Sequence, residues 1–255
     1  MVKGLDVFQA WFADYSNQYT LIGGTAASLA MDAAGLDFRA TKDLDVVLHV
    51  ESLTPAFGAT FWKFIEAGGY EIRQASPTFY RFQKPTDARF PVMVELFARA
   101  PDSLRPIERG QLTPIPFDEA ISSLSAILLD DTYYAFITTG RREHNGISWI
   151  GEDRLIPLKA IAWLELRARR ERDEPVDANN IRKHGNDVLR LSQLLAATTR
   201  IPVEAKIADD MRRFLHTAAA DNTLDPKALG LGRISLADVL DRIAKAYGLH
   251  EESVS

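Results

Sequence analysis

Apolar and polar positions follow two different periods along this chain. Up to about residue 152, short apolar runs alternate with amphipathic segments; beyond Pro157 the spacing is helical throughout. Leu5, Phe8, Phe12 and Tyr15 stand three or four residues apart and predict an opening helix over 5–18. Tyr19–Ile22 reads as a strand, followed by a helix over 25–34 that Gly35 ends. A second strand is expected over 43–50, then a helix over 55–67 stopped by Gly68 and Gly69. Strand patterns follow at 70–73, 78–83 and 91–97. A helix is expected over 117–129, with strands at 132–138 and at Ile147–Ile150 around a polar turn at 140–146.

The later helices are expected over 158–170, 178–197, 203–219 and 236–247, separated by Pro175, Pro202 and a loop at 226–232. This order predicts an α/β (α+β) unit with a mixed sheet over residues 1–152 and a C-terminal helical lobe over 153–255.

Composition narrows the chemistry. Zero cysteines exclude disulfides, thiolate metal sites and cysteine nucleophiles. The 30 basic and 35 acidic residues leave a formal charge of −5, so any contact with nucleic acid must come from a local basic face. The densest such stretch is Arg167, Arg169, Arg170 and Arg172, joined by Arg182 and Lys183 and diluted by neighbouring acids. The N-terminus lacks a signal peptide's apolar run, and no stretch approaches about 18 apolar residues. A soluble, cytoplasmic protein without membrane contact is the expectation.

Two segments carry the candidate chemistry. Gly23, Gly24 and Thr25 stand where a strand turns into a helix, a place whose backbone N–H groups favour phosphate. One helix later, Asp43 and Asp45 open a strand that is otherwise apolar, and their spacing puts both carboxylates on one face. Such a pair beside an apolar run is costly unless a cation or hydrogen bonds compensate. A divalent ion, magnesium or manganese, carrying the phosphates of a nucleoside triphosphate (NTP) would supply that compensation. Glu95 interrupts another apolar strand and is the candidate third metal ligand for a two-metal arrangement; its alternation with Val94 and Leu96 equally suits a solvent-facing residue.

The arrangement Gly23-Gly24-Thr25-Ala26, one helix, then Arg39-Ala40-Thr41-Lys42-Asp43-Leu44-Asp45 resembles the nucleotidyltransferase toxins of the AbiEii type and their MenT-like relatives. These share a polymerase-beta-like minimal nucleotidyltransferase core. The resemblance implies nucleotide binding by Gly23, Gly24, Thr25, Thr41 and Lys42 and metal-dependent catalysis by Asp43 and Asp45. It extends to Lys159, expected to reach the triphosphate, and to Asp187, expected to hold Lys159 or assist proton removal. Where the family's late motif often reads Arg-Asp-x-x-Asp-Leu, this chain has Lys183-His184-Gly185-Asn186-Asp187. The implied activity is transfer of a nucleoside monophosphate from NTP to an acceptor hydroxyl. RNA, at the tRNA acceptor end, is the implied acceptor, with the protein as a toxin that has a cognate antitoxin. Transfer to a protein or a small molecule such as an aminoglycoside, and a non-catalytic nucleotide-binding module, are the alternatives.

Overall fold

A strand pair built from Tyr19–Ile22 (β1) and Asp43–Leu48 (β2) forms the middle of the sheet. The computed structural model describes residues 2–49, 51–76, 79–97, 113–114 and 130–249. Helix α1 (Leu5–Phe12) buries Leu5, Phe8 and Phe12 and passes through a 3-10 turn into β1. Helix α2 (Gly23–Ala33) joins β1 to β2. Helix α3 (Pro55–Gly68) starts where Thr54 Oγ1 accepts from the Phe57 N–H at 3.2 Å, with proline in the first turn, and stops at Gly69 in the left-handed region. Strands β3 (Glu71–Ser76), β4 (Phe79–Gln83), β5 (Met93–Phe97) and β6 (Thr113–Pro114) follow. Beyond them come α4 (Asp131–Thr139), β7 (Arg141–His144), β8 (Ile147–Ile150), α5 (Glu152–Glu171), α6 (Ala178–Leu191), α7 (Ala205–Ala219) and α8 (Leu236–Ala246).

The strands form one sheet in the order β6-β3-β4-β5-β2-β1-β8-β7, with the two-residue β6 at one edge. It is mixed, as expected: β2 runs parallel to β5 and antiparallel to β1, while β1 runs parallel to β8. One face buries Leu21, Leu44, Val46, Val94 and Leu96 against Phe8 and Phe12 of α1 and Phe57, Phe61 and Phe64 of α3. The other face packs Ile22, Val47 and Phe97 with Ala26, Ala27 and Met31 of α2 and with the buried sides of the helices beyond residue 152. A single core therefore continues across that position. Among the described residues no helix is long and apolar enough to cross a membrane.

Two expectations are overturned. Residues 132–138 are helical in α4, because Asp130 accepts from the N–H groups of Thr132 and Tyr133 at 3.0 and 3.2 Å and nucleates the first turn. Tyr133, Tyr134, Phe136 and Ile137 then fall on one buried helical side; their β-favouring character suggested a strand, and the cap outweighs it. The polar stretch 140–146 contains strand β7, closed onto β8 by Asn145 and Gly146, both at positive φ as a two-residue hairpin loop needs. The helix expected over 117–129 lies outside the described residues.

Helix α5 runs through Pro157. A proline there cannot donate to the carbonyl four residues earlier, that of Asp153. The Tyr247 hydroxyl, from the end of the last helix, donates to that carbonyl at 2.9 Å. Tyr247→Phe should therefore cost about 1 kcal/mol of unfolding free energy by removing the hydrogen bond to this part-buried carbonyl. In a Pro157→Ala background the restored N–H takes over, and the same change should cost much less. Urea unfolding of the four proteins measures this; equal losses in both backgrounds would contradict it.

Candidate functional site

Sheet register builds the acidic centre. Asp45 on β2 pairs with Glu95 on β5, and Glu95 pairs with Arg81 on β4, so the three side chains form a row on one face. Asp43 and Met93 form the next row on that face. Arg81 donates twice to Oε1 of Glu95, from Nε at 2.9 Å and Nη2 at 2.6 Å. Burial, then the charge of Asp45, pushes the Glu95 carboxyl up to about 8 against the pull of Arg81. A side-chain hydrogen bond between the Glu95 and Asp45 carboxyls acts in the same raising direction. Burial and then Asp45 likewise raise Asp43, against Lys183, Arg81 and Lys42.

The glycine turn abuts this row. Ile22 pairs with Asp45, which places the next residue, Gly23, against the Asp45 carboxylate. Gly23 has φ of +67°, and a β-carbon there would collide with Asp45 Oδ2. Gly24 lies beside Thr41, whose Oγ1 would be 2.6 Å from an added β-carbon. Thr25 does not face the site: it is fully buried, and its hydroxyl donates to the Asp43 carbonyl at 2.7 Å. It ties the start of α2 to the start of the carboxylate strand.

The opposite wall comes from α5 and α6, held together by a buried ion cluster. Asp187 on α6 is 0 % exposed. It accepts from Lys159 Nζ on α5 at 2.9 Å, and from Arg39 Nε and Nη2 at 2.8 and 2.6 Å. Burial opposes its ionisation, yet Lys159 and Arg39 hold it well below the usual carboxylate range. The helices approach closely because α6 carries Gly185: a β-carbon there would meet Leu224 Cδ2 at 2.7 Å and Trp163 Nε1 at 2.9 Å. An Asp187 so buried and doubly paired suits anchoring Lys159, one of its two expected roles, and ill suits accepting a proton from a substrate.

Between the walls lies a cavity of about 220 Å³. Gly23, Gly24, Thr41, Asp43, Asp45 and Glu95 line it from the sheet side, and Lys159, Asn180, Lys183 and His184 from the helices. Leu155, Leu158, Ala162 and Leu166 of α5, facing Met93 and Phe97, give it an apolar end. His184 is kept neutral, its pKa lowered to about 3 by burial and then by Lys159, and its Nδ1 has no hydrogen-bond partner among the described residues.

Most of the sequence-predicted site therefore gathers in one place: Gly23, Gly24, Thr41, Asp43, Asp45, Glu95 and Lys159 share the cavity. Asp187 and Thr25 lie behind its walls, and the exposed Lys42 acts on it through charge alone. Sequence reasoning gave no site role to Arg39, Arg81, Lys183 or Asn180. Alternation along β4 places Arg81 opposite Glu95, but only once the strand pairing is known.

The donor set fits a hard divalent ion in part. Asp43 and Asp45 offer oxygen ligands on one face, and a cation would offset both the burial and, secondly, the Asp45 charge that raise Asp43. Glu95 is engaged by Arg81, and among the described residues no three Asp, Glu or His side chains are grouped closely enough to hold a metal alone. A metal here would need substrate oxygens to complete its shell. The basic stretch at the end of α5 is partly neutralised: Arg167 pairs with Asp221, and Arg169 and Arg172 share Glu174. The chain matches no protein-family model and no curated protein.

Two outcomes follow from these geometries. A carboxyl raised above 4.5 on folding stabilises the fold at low pH, and that contribution is lost as the pH rises through about 8. Without divalent ions, stability should fall across that window by up to about 1.4 kcal/mol per pH unit, and Glu95→Gln should flatten the slope. Thermal melts across the window test this, and identical slopes would refute it. Gly23→Ala should cost about 1–2 kcal/mol for the left-handed backbone and displace the Asp45 carboxylate. Manganese affinity of the variant, measured by calorimetry in the presence of NTP, should fall; unchanged affinity would show that the turn is only architectural.

Proposed function

We propose that this chain is a metal-dependent nucleotidyltransferase, moving a nucleoside monophosphate from NTP to an acceptor hydroxyl. The observation that carries the reading is the juxtaposition of Asp43 and Asp45, on one sheet face, with the first turn of α2 and a cationic wall across one cavity. Magnesium or manganese held by the two aspartates would neutralise charge on the reacting phosphate. The backbone N–H groups at the start of α2, which no side chain caps, would receive phosphate oxygens, and Gly23 and Gly24 let Asp45 and Thr41 stand close to that turn. Thr41, beside Gly24, adds a hydroxyl within the same corner. The acceptor oxygen attacks the α-phosphorus, the bond to the bridging oxygen breaks, and pyrophosphate departs while the hydroxyl proton passes to solvent.

The resemblance to the AbiEii-type toxins is what points to RNA, at the tRNA acceptor end, and to a cognate antitoxin; the arginines at the end of α5 are partly paired with Asp221 and Glu174. Incubating the protein with each labelled NTP, magnesium and total RNA should place label on RNA. Asp43→Asn and Asp45→Asn should each lower transfer by more than about a hundredfold, while melting temperatures hold or rise because carboxylate repulsion is relieved. Transfer within a few-fold of wild type in both variants would overturn the two-carboxylate chemistry.

A further inference from the structure

Two lysines line the cavity, and the structure treats them differently. Lys159 is 6 % exposed with its Nζ on Asp187, so its charge is already answered inside the protein. Lys183, one helix over, has no ion pair among the described residues, although it lines the same cavity and its charge acts on both Asp43 and Asp45. It is exposed as a residue. Asn180, one turn earlier on the same side of α6, also lines the cavity, and its side-chain amide has no hydrogen-bond partner among the described residues.

We propose that Lys183, with Asn180 beside it, forms the oligophosphate-binding subsite of this cavity, and that the buried Asp187 cluster positions the helix carrying it. The inference rests on the nucleotidyl-transfer reading and names the residue that meets the triphosphate.

Charge balance argues for it. Arg39, Lys159 and Lys183 gather about one buried carboxylate, Asp187, while neighbouring His184 is neutral. Burial, then Arg39 and Lys159, makes the Lys183 ammonium costly, lowering its pKa despite Asp45 and Asp187. The two carboxylates across the cavity would be satisfied by a divalent ion, which leaves the cationic wall in surplus. An oligophosphate supplies the missing negative charge, and an ammonium on a flexible stem can follow phosphate oxygens between ground and transition states.

Calorimetric titration with inorganic tripolyphosphate in EDTA isolates this subsite from the metal. Wild type should bind, and Lys183→Ala should weaken binding by about tenfold or more. Lys183→Arg should retain part of the affinity. Arg182→Ala is the control: Arg182 is an exposed neighbour bonded to Asn179, and its variant removes the same net charge without touching the cavity, so it should stay near wild type. Circular dichroism confirms folding of each. A parallel titration with magnesium and NTP separates the two claims. If wild type binds magnesium–NTP but Lys183→Ala matches it in both titrations, or Arg182→Ala loses as much, the subsite is wrong and the transfer reading stands. Failure of wild type to bind either ligand would overturn both.

Discussion

The fold depends on one buried carboxylate. Asp187 is 0 % exposed and is answered from two directions, by Lys159 on α5 and by Arg39 on the segment leading into β2. Losing the sole partner of a buried charge typically costs about 3–5 kcal/mol, and Asp187 has two cations to hold it, so that one remains when the other is removed. The cluster therefore fixes three pieces of chain at once: the two helices of the cationic wall, and the segment that delivers Asp43 and Asp45 to the sheet. Gly185 completes the constraint, since only a residue without a side chain lets α5 and α6 approach closely there.

Opposite this wall, the sheet places like charges together at some expense. Asp45 and Glu95 are register neighbours, and burial plus their repulsion raises Glu95 while Arg81 restrains one of its oxygens. Stability alone would be better served by apolar residues at these positions, as on the opposite face of the same strands, where Leu44, Val46, Val94 and Leu96 sit. Acids on one wall and cations on the other, with a glycine turn between, face each other across the cavity, and under the proposed reading a ligand carrying a cation and phosphates would satisfy both.

Much of this was legible in the chain. Period-two and helical spacing located most elements, and the Asp43–Asp45 pair stood out because carboxylates opening an apolar strand need a reason. What escaped was nonlocal. Arg39 stands in the resembling motif without a role until a partner 148 residues away is known, and Arg81 has none until β4 is set beside β5. Lys183 appeared as one charge in a basic stretch, although the cavity separates it from Arg182. Residues 132–138 were misread because Thr, Tyr, Phe and Ile favour strands, and a single capping aspartate, Asp130, outside that window decides for a helix. Pro157 looked like a boundary, yet the helix continues through it because Tyr247, far along the chain, satisfies the carbonyl it frees.

The cavity is proposed to be a metal–triphosphate site. A crystal structure of the protein with manganese and a non-hydrolysable NTP, with anomalous difference density recorded at a wavelength sensitive to manganese, tests it most directly. The expected result is an anomalous peak bridging the carboxylates of Asp43 and Asp45, with phosphate oxygens against the start of α2. Nucleotide bound elsewhere, or manganese absent from the two aspartates while nucleotide occupies the cavity, would contradict it.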